Sequence, residues 1–406
     1  MSYWTRRGAV HAQMQAEGID GWLLMDFRGN NPLFAQALGR GASGGHLTRR
    51  TFAWIPADPD AGITVIAHAI ESSAMHDDRY PVVTYHDAPS LRARLSALGR
   101  GGSLDGTTVA MEYSPGGGLP YVSRVDGGTI DMMRELGASV VSSANLLQLA
   151  IAQWDETQVA QHDTAARLVD DVKNEAFALV ADRLRAGGTI DEYEVQQFIV
   201  DGFAARDLVS VYRPTVAVGP NSANSHYEPL QDRCLPIGRD QWLLIDLWAR
   251  MNVAGSPFAD VTWVAWTGPS PVPTRIREVY DVVREARDLA LIRLQVAAQA
   301  GRTPEGWEID RAVRDHIEAA GYGLYFTHRT GHNLGPEEVH GSAGVCLDDF
   351  ETHDTRLVLP GVAFSVEPGI YLQGDFGVRL ELNAVMGADG ADVYTPVQRD
   401  IITLLP

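Results

Sequence analysis

AFSVEPGIYLQGDFGVRLELNAV, residues 363–385, reads as two apolar strands, GVAFSVEPGIYL (361–372) and FGVRLELNAVM (376–386), joined by a short polar turn. Each strand carries one acid among hydrophobic neighbours. Glu367 stands before Pro368 and Gly369, which turn or bulge the first strand. Glu381 stands two residues after Arg379, and period-two alternation puts Arg379, Glu381 and Asn383 on one face.

The same arrangement lies upstream. QWLLIDLWA (241–249) and FADVTWVAWTG (258–268) read as strands whose connection suits a hairpin. Asp246 sits inside the first and Asp260 begins the second. A carboxylate there is costly to bury unless it is paired or bound to a cation. Trp242, Trp248, Trp263 and Trp266 are read as sheet packing. Between the two strand pairs lies HRTGHNLG (328–335), whose glycines let the backbone turn tightly around His332.

Taken singly, each residue has a bland reading: a hydrogen-bonded Asp, a turn Glu, a loop His. The ordered set is what points to chemistry. Hard divalent cations need oxygen and imidazole ligands on rigid supports. Four carboxylates and one neutral imidazole balance two divalent cations, and a water between such ions ionises near neutral pH.

Working outward, the composition shifts near residue 150, so the chain divides into residues 1–150 and 151–406. The first part reads as a small α/β domain: a helix over 3–18 with Ala9, Met14 and Ala16 inward, then strands at 21–27, 50–57, 63–69 and 107–113, and a Gly/Pro-rich loop at 114–123. It shows no cluster of titratable residues. The second part opens with a helix of some thirty residues from Glu156, stopped by Gly187 and Gly188. Thr189 and Glu192 form a capping-box pattern for a second helix. Strands follow at 210–219 and in the Asp246–Asp260 pair. The order then recurs. A helix over 273–301 precedes another that Thr303 and Pro304 start, in N-cap and N1 positions, and that ends at Gly321. The second strand pair comes last. Helix pair and strands, twice over, suggest an internal duplication of pattern.

The chain has 406 residues, 45% of them hydrophobic, enough for two cores. Its net charge of −19 makes nucleic acid and anionic membrane poor partners. Two cysteines, Cys234 and Cys346, cannot build a disulfide framework or a thiolate metal site. The first twenty residues carry no apolar run after their basic residues, and no stretch approaches eighteen apolar residues. A cytoplasmic location is the default expectation.

The motifs TGHNLG (330–335), SVEPGIY (365–371) and GVRLE (377–381), with the Asp246–Asp260 pair, resemble the pita-bread metallopeptidases, a family that includes prolidase, aminopeptidase P and the non-metal relative creatinase. The likeness covers about residues 150 to 406. GWLLMDFRGN and RRTFAWIPAD look like the creatinase-type N-terminal domain. The resemblance implies an α/β (α+β) architecture: a creatinase-like N-terminal domain (1–150) and a pita-bread catalytic domain (151–406) with a pseudo-twofold repeat.

It also implies roles. Asp246 would chelate one metal, His332 and Glu367 the other, and Asp260 and Glu381 would bridge both. Glu367 would take a proton from the attacking water. His226, in NSANSHYEP, would contact the scissile carbonyl or the tetrahedral intermediate. His340, in EEVHG, would lie near the substrate carbonyl or C-terminus, and Arg379 would order the site or grip a carboxylate. Mn²⁺ is the ion the family favours, with Co²⁺, Zn²⁺ or Fe²⁺ as alternatives, and a homodimer is implied. The chain departs from the family in three places. The Asp246–Asp260 interval is longer than usual, the tyrosine expected shortly after Asp246 is absent, and His340 is followed by Gly341 instead of an acid.

The expected reaction is hydrolysis of Xaa-Pro dipeptides by a hydroxide that two metal ions activate. Alternatives are aminopeptidase P activity on longer Xaa-Pro peptides, creatinase-type or lyase chemistry on a small zwitterion, and a non-catalytic binding module on the same fold.

Overall fold

The computed structural model describes residues 2–40 and 47–405. It separates into two compact units, Met1–Gln153 and Trp154–Pro406.

The first unit opens with α1 (Tyr3–Ala16) and β1 (Gly21–Asp26). Short helix α2 (Pro32–Ala37) leads to strands β2 (Thr51–Pro56), β3 (Thr64–His68) and β4 (Val82–Tyr85). Then come α3 (Ala88–Ser96), β5 (Thr108–Met111), α4 (Gly127–Glu135), β6 (Ser139–Ser142) and the single turn α5 (Ala144–Leu147). The strands form one mixed sheet in the order β4-β3-β2-β1-β5-β6. Leu23 and Met25 of β1 pack with Phe52, Ile66, Leu91 and Met133 in its core. Two of these strands, β4 and β6, were not anticipated; both are four residues long and only partly buried, so their apolar signal is weak. The inner face of α1 also differs from expectation. Ala9 and Ala16 are exposed, while Tyr3, Val10, His11 and Met14 are buried. His11 is accommodated because one ring nitrogen meets the Tyr3 hydroxyl at 2.9 Å and the other meets the Ala57 carbonyl at 3.0 Å.

The second unit begins with α6 (Glu156–Arg185), the two-residue strand β7 (Ile190–Asp191) and α7 (Glu192–Ala205). Strands β8 (Leu208–Val209), β9 (Thr215–Val218), β10 (Pro236–Ile237), β11 (Trp242–Met251) and β12 (Ala259–Trp266) follow. The second round is α8 (Thr274–Gln299), α9 (Gly306–Ala319), β13 (Ala363–Val366), β14 (Gly369–Leu372), β15 (Phe376–Arg379) and β16 (Leu382–Met386), closed by β17 (Ala391–Val393) and β18 (Ile402–Thr403). The duplicated order read from the sequence is therefore present.

Two helix starts move. The cap of α7 is Asp191, with Glu194 as its reciprocal partner, not Thr189 with Glu192. Ile190 stays extended because it pairs with Ile237 of β10. Likewise α9 is capped by Glu305, not Thr303. Glu305 bridges to Leu357, and the Gly306 N–H donates to the Arg356 carbonyl at 3.0 Å.

β11 and β12 are antiparallel, with Asp246 opposite Thr262 and Trp248 opposite Asp260. Leu243, Ile245, Leu247 and Ala249 face α6 and α7, packed with Val169, Val172, Ile199 and Phe203. Alternation then turns Asp246, Asp260 and Thr262 to the opposite face. Trp263, on the helix side, lies under the Lys173 ammonium at 3.3 Å, and Trp242 donates to the Gly377 carbonyl at 2.7 Å.

β13 pairs with β16 (Val366↔Leu382) and β14 with β15 (Gly369↔Arg379). The two ladders share one register. Between them Glu367 stands opposite Glu381, and Pro368, which has no N–H, interrupts the ladder.

Candidate metal centre

The five residues read as ligands converge in the second unit. Ligand atoms of Asp246, Asp260 and Glu381 lie within 4.8 Å of one another, as do those of His332, Glu367 and Glu381, and those of Asp260, His332 and His340. Asp246, Asp260, His332 and Glu381 are buried, and Glu367 is nearly so. Strands β11 and β12 hold the aspartates, and the breaks beside β13 and β16 hold the glutamates.

His332 sits on a loop clamped to β13. Its N–H donates to Ser365 Oγ at 2.9 Å, and its carbonyl accepts the Ser365 N–H at 2.9 Å. Its Nδ1 lies 3.1 Å from the Asn333 carbonyl, an acceptor, so Nδ1 carries the proton. The Nε2 lone pair then faces Glu367 Oε1 at 3.3 Å and Asp260 Oδ2 at 3.5 Å. Burial, followed by the neighbouring His340 and Arg329, holds this imidazole well below its ordinary pKa, so it is neutral at pH 7.

Three of the carboxylates are shifted the other way. Burial and then repulsion from neighbouring carboxylates push Asp260 (beside Asp246 and Glu367) and Glu381 (beside Asp260, Glu367 and Asp246) well above the usual carboxylate range. Glu367 is raised too, first by burial. Asp246 is satisfied differently: Arg379 Nη2 pairs with its Oδ2, and the Thr262 hydroxyl lies 3.0 Å from its Oδ1. The same hydroxyl is 2.9 Å from Glu381 Oε2 and accepts from Arg379 Nε at 2.9 Å. Its single proton serves one carboxylate at a time.

Divalent cations fit this set. Four carboxylates face the guanidinium of Arg379, with Arg329 as a second cation near Glu367, and Asp260 Oδ1 and Glu381 Oε1 are buried without a hydrogen-bond partner among the described residues. An anionic oxygen left so is costly, and a cation is the natural partner for it.

Asn383 supports the set from behind. Its Oδ1 accepts the Asp260 N–H at 2.8 Å and its Nδ2 donates to the Asp260 carbonyl at 2.7 Å. The buried His162 of α6 contacts that Oδ1 at 3.2 Å. Arg379, Glu381 and Asn383 thus all meet β11 or β12, as the alternation predicts.

The other expected residues lie around this cluster. The His340 ring lies over His332 with centroids 3.9 Å apart. His226 is exposed, on a loop whose Ser225 carbonyl accepts from Arg379 Nη1 at 3.4 Å. Sequence reasoning missed Thr262 and Asp310. Asp310, buried in α9, accepts from the Thr330 N–H at 2.9 Å, from the Thr330 hydroxyl and from the Asp349 N–H, fixing the His332 loop. It also left the phenol of Tyr371 unassigned. That hydroxyl is 3.0 Å from Arg379 Nη1 and 2.7 Å from His328 Nε2. Burial pushes it up to about 12, so it keeps its proton at neutral pH. The site therefore has a tyrosine beside Arg379, brought by β14 and not by the segment after Asp246. SVEPGIY contained it, but spacing alone gave it no role.

Residues 160–388 match the model of metallopeptidase family M24, more than half of the chain, and the chain belongs to that family. It is 33% identical over 231 residues to an Xaa-Pro dipeptidase of Lactobacillus helveticus, a match spanning 56% of each chain. The chain thus spans about half the length of such curated relatives. Among solved structures, dipeptidase PepE from Mycobacterium ulcerans superimposes with a TM-score of 0.68 at 20% identity, covering 100% of this chain and 98% of that one. A prolidase from Thermococcus sibiricus gives 0.61 at 22% identity, covering 99% of both. These likenesses establish the fold, the pita-bread type with an N-terminal domain.

Proposed function

We propose that this protein hydrolyses Xaa-Pro dipeptides with two divalent cations held by Asp246, Asp260, His332, Glu367 and Glu381. The observation that carries the reading is the convergence of Asp260, Glu367 and Glu381 on a neutral imidazole, with Asp246 beside Asp260 and Glu381, and with Asp260 Oδ1 and Glu381 Oε1 left without a partner among the described residues. The likeness to Xaa-Pro dipeptidase supports the substrate class. Asp246 would hold one cation and His332 with Glu367 the other, and Asp260 and Glu381 would serve both. When bound, the cations supply Lewis-acid polarisation of the scissile carbonyl and favour ionisation of an attacking water near pH 7. Glu367 accepts the proton of that water. His226 contacts the scissile carbonyl or the tetrahedral intermediate, and His340 the substrate carbonyl or C-terminus. Arg379 holds Asp246 in place. Mn²⁺ as resident ion, a homodimer and a cytoplasmic location belong to the same reading and rest on family resemblance and composition.

Metal analysis combined with assay on Xaa-Pro dipeptides and Xaa-Pro-Yaa tripeptides tests it. Two equivalents of metal and dipeptide cleavage are expected. Cleavage of tripeptides alone would replace it with aminopeptidase P activity, and activity indifferent to chelators would remove the metal mechanism.

A further inference from the structure

Glu192 opens α7 but does not serve that helix. It is fully buried, and all its partners belong to one stretch of chain, residues 218–235. Oε1 accepts the Val218 N–H at 2.7 Å and Asn221 Nδ2 at 3.0 Å. Oε2 accepts Asn221 Nδ2 at 3.0 Å, the Tyr227 hydroxyl at 2.7 Å and the Leu235 N–H at 2.7 Å. The far side of the same stretch is held by the β14–β15 hairpin. There Gln373 Nε2 donates to the Ala223 carbonyl at 2.6 Å, the Gly377 N–H to Ser222 Oγ at 2.8 Å, and Arg379 to the Ser225 carbonyl at 3.4 Å. His226 sits between these two anchors, next to Tyr227, which Glu192 holds, and Ser225, which Arg379 holds.

We infer that Glu192 is a positioning residue: its carboxylate gathers residues 218–235 into one conformation and so sets where His226 stands against the substrate. A single acceptor group replaces the ladder that this irregular stretch lacks, and hydrogen bonds to a charged acceptor are the stronger kind. The inference rests on the proposed function in one respect, that His226 meets the substrate.

Glu192→Gln keeps the volume but puts N–H groups where an acceptor is needed, so the Leu235 N–H and the Tyr227 hydroxyl compete for fewer lone pairs. In the metal-free protein, hydrogen exchange of the Val218 and Leu235 amides should quicken, with metal affinity unchanged. In the metal-loaded protein, kcat/KM for an Xaa-Pro dipeptide should fall about tenfold, the scale of a lost positioning contact. In a His226→Ala background the same substitution should cost nothing further. Tyr227→Phe removes one of the contacts and should give the same pattern, smaller, and it serves should Glu192→Gln fail to fold. Unchanged exchange overturns the inference, and so does an equal loss of activity with and without His226. An inactive parent protein sinks the dipeptidase reading instead, and leaves the exchange measurement to decide Glu192.

Discussion

Glu381 illustrates the conflict built into this site at the scale of one residue. Its carboxylate is buried among Asp260, Glu367 and Asp246, all of one sign. Without cations this is repulsion that folding must overcome. Glu381→Gln should therefore raise the melting temperature of the metal-stripped protein while abolishing metal uptake and activity, the trade expected of a functional site. A Gln variant that melts lower than the stripped parent, or that stays active, would contradict this. Asp260→Asn should behave alike. Thr262 makes a subtler case. Its hydroxyl touches Asp246, Glu381 and Arg379, so Thr262→Val removes the proton those two carboxylates share and the oxygen that accepts from Arg379 Nε. Metal affinity should drop by roughly 10–100-fold, the usual consequence of losing a group that orients ligands. A titration showing unaltered affinity would assign Thr262 to packing alone.

At the scale of elements, the strands that carry the proposed ligands were legible because burial on both faces makes a charged residue conspicuous in them. Asp246 in WLLIDLW and Glu381 in VRLEL stand out for that reason. The helix starts were less legible. TIDEYE satisfies the capping pattern at both Thr189–Glu192 and Asp191–Glu194, and local sequence cannot choose. The pairing of Ile190 with Ile237, from a segment more than forty residues away, decides it and frees Glu192 for another task. Thr262 and Asp310 were invisible for a related reason: their partners come from distant segments, and a lone Thr or helical Asp carries no periodic signal. Gly331 shows an element approaching another closely. A Cβ there would lie 1.9 Å from the Ser365 carbonyl oxygen, and the Gly331 N–H and carbonyl both pair with Leu347. Gly331→Ala should force the His332 loop off β13, costing at least ~2 kcal/mol by overpacking and releasing the metal. A normal melting curve with full metal occupancy would refute that placement.

At the scale of the whole molecule, the two units should respond to different variables. The second answers to metal. Saturating cation at a thousand times the dissociation constant should add ~4 kcal/mol to its stability. The first unit answers to pH through Glu112, a fully buried carboxyl that the sequence reading left unremarked. Trp22 Nε1 at 2.8 Å, Asn31 Nδ2 at 3.0 Å and Ser143 Oγ at 3.1 Å surround it. Burial outweighs these contacts and pushes its pKa up to about 7. Because the folded value exceeds the unfolded one, the stabilisation is complete below pH 4.5 and is lost as pH rises through about 7. The loss should reach up to ~3 kcal/mol. Glu112→Gln should flatten that slope in urea melts between pH 5 and 8. A slope equal to the parent's would place the dependence elsewhere.

The register shared by the β13–β16 and β14–β15 ladders has a consequence for ion choice. Glu367 and Glu381 stand opposite each other where the ladder is interrupted, with paired strand on both sides. The backbones that carry them are therefore pinned by ladder pairing on both sides, which limits how far the aperture between them can widen, as a gauge does. Ions content with four to six ligands at about 2.0–2.2 Å suit such a gauge, whereas Ca²⁺ asks for six to eight oxygens at roughly 2.3–2.6 Å. Selection by ionic radius would then follow from strand pairing as well as from ligand type. Excess Ca²⁺ added to the stripped protein should leave its melting temperature where it was, and a calcium-dependent rise would show that the frame yields.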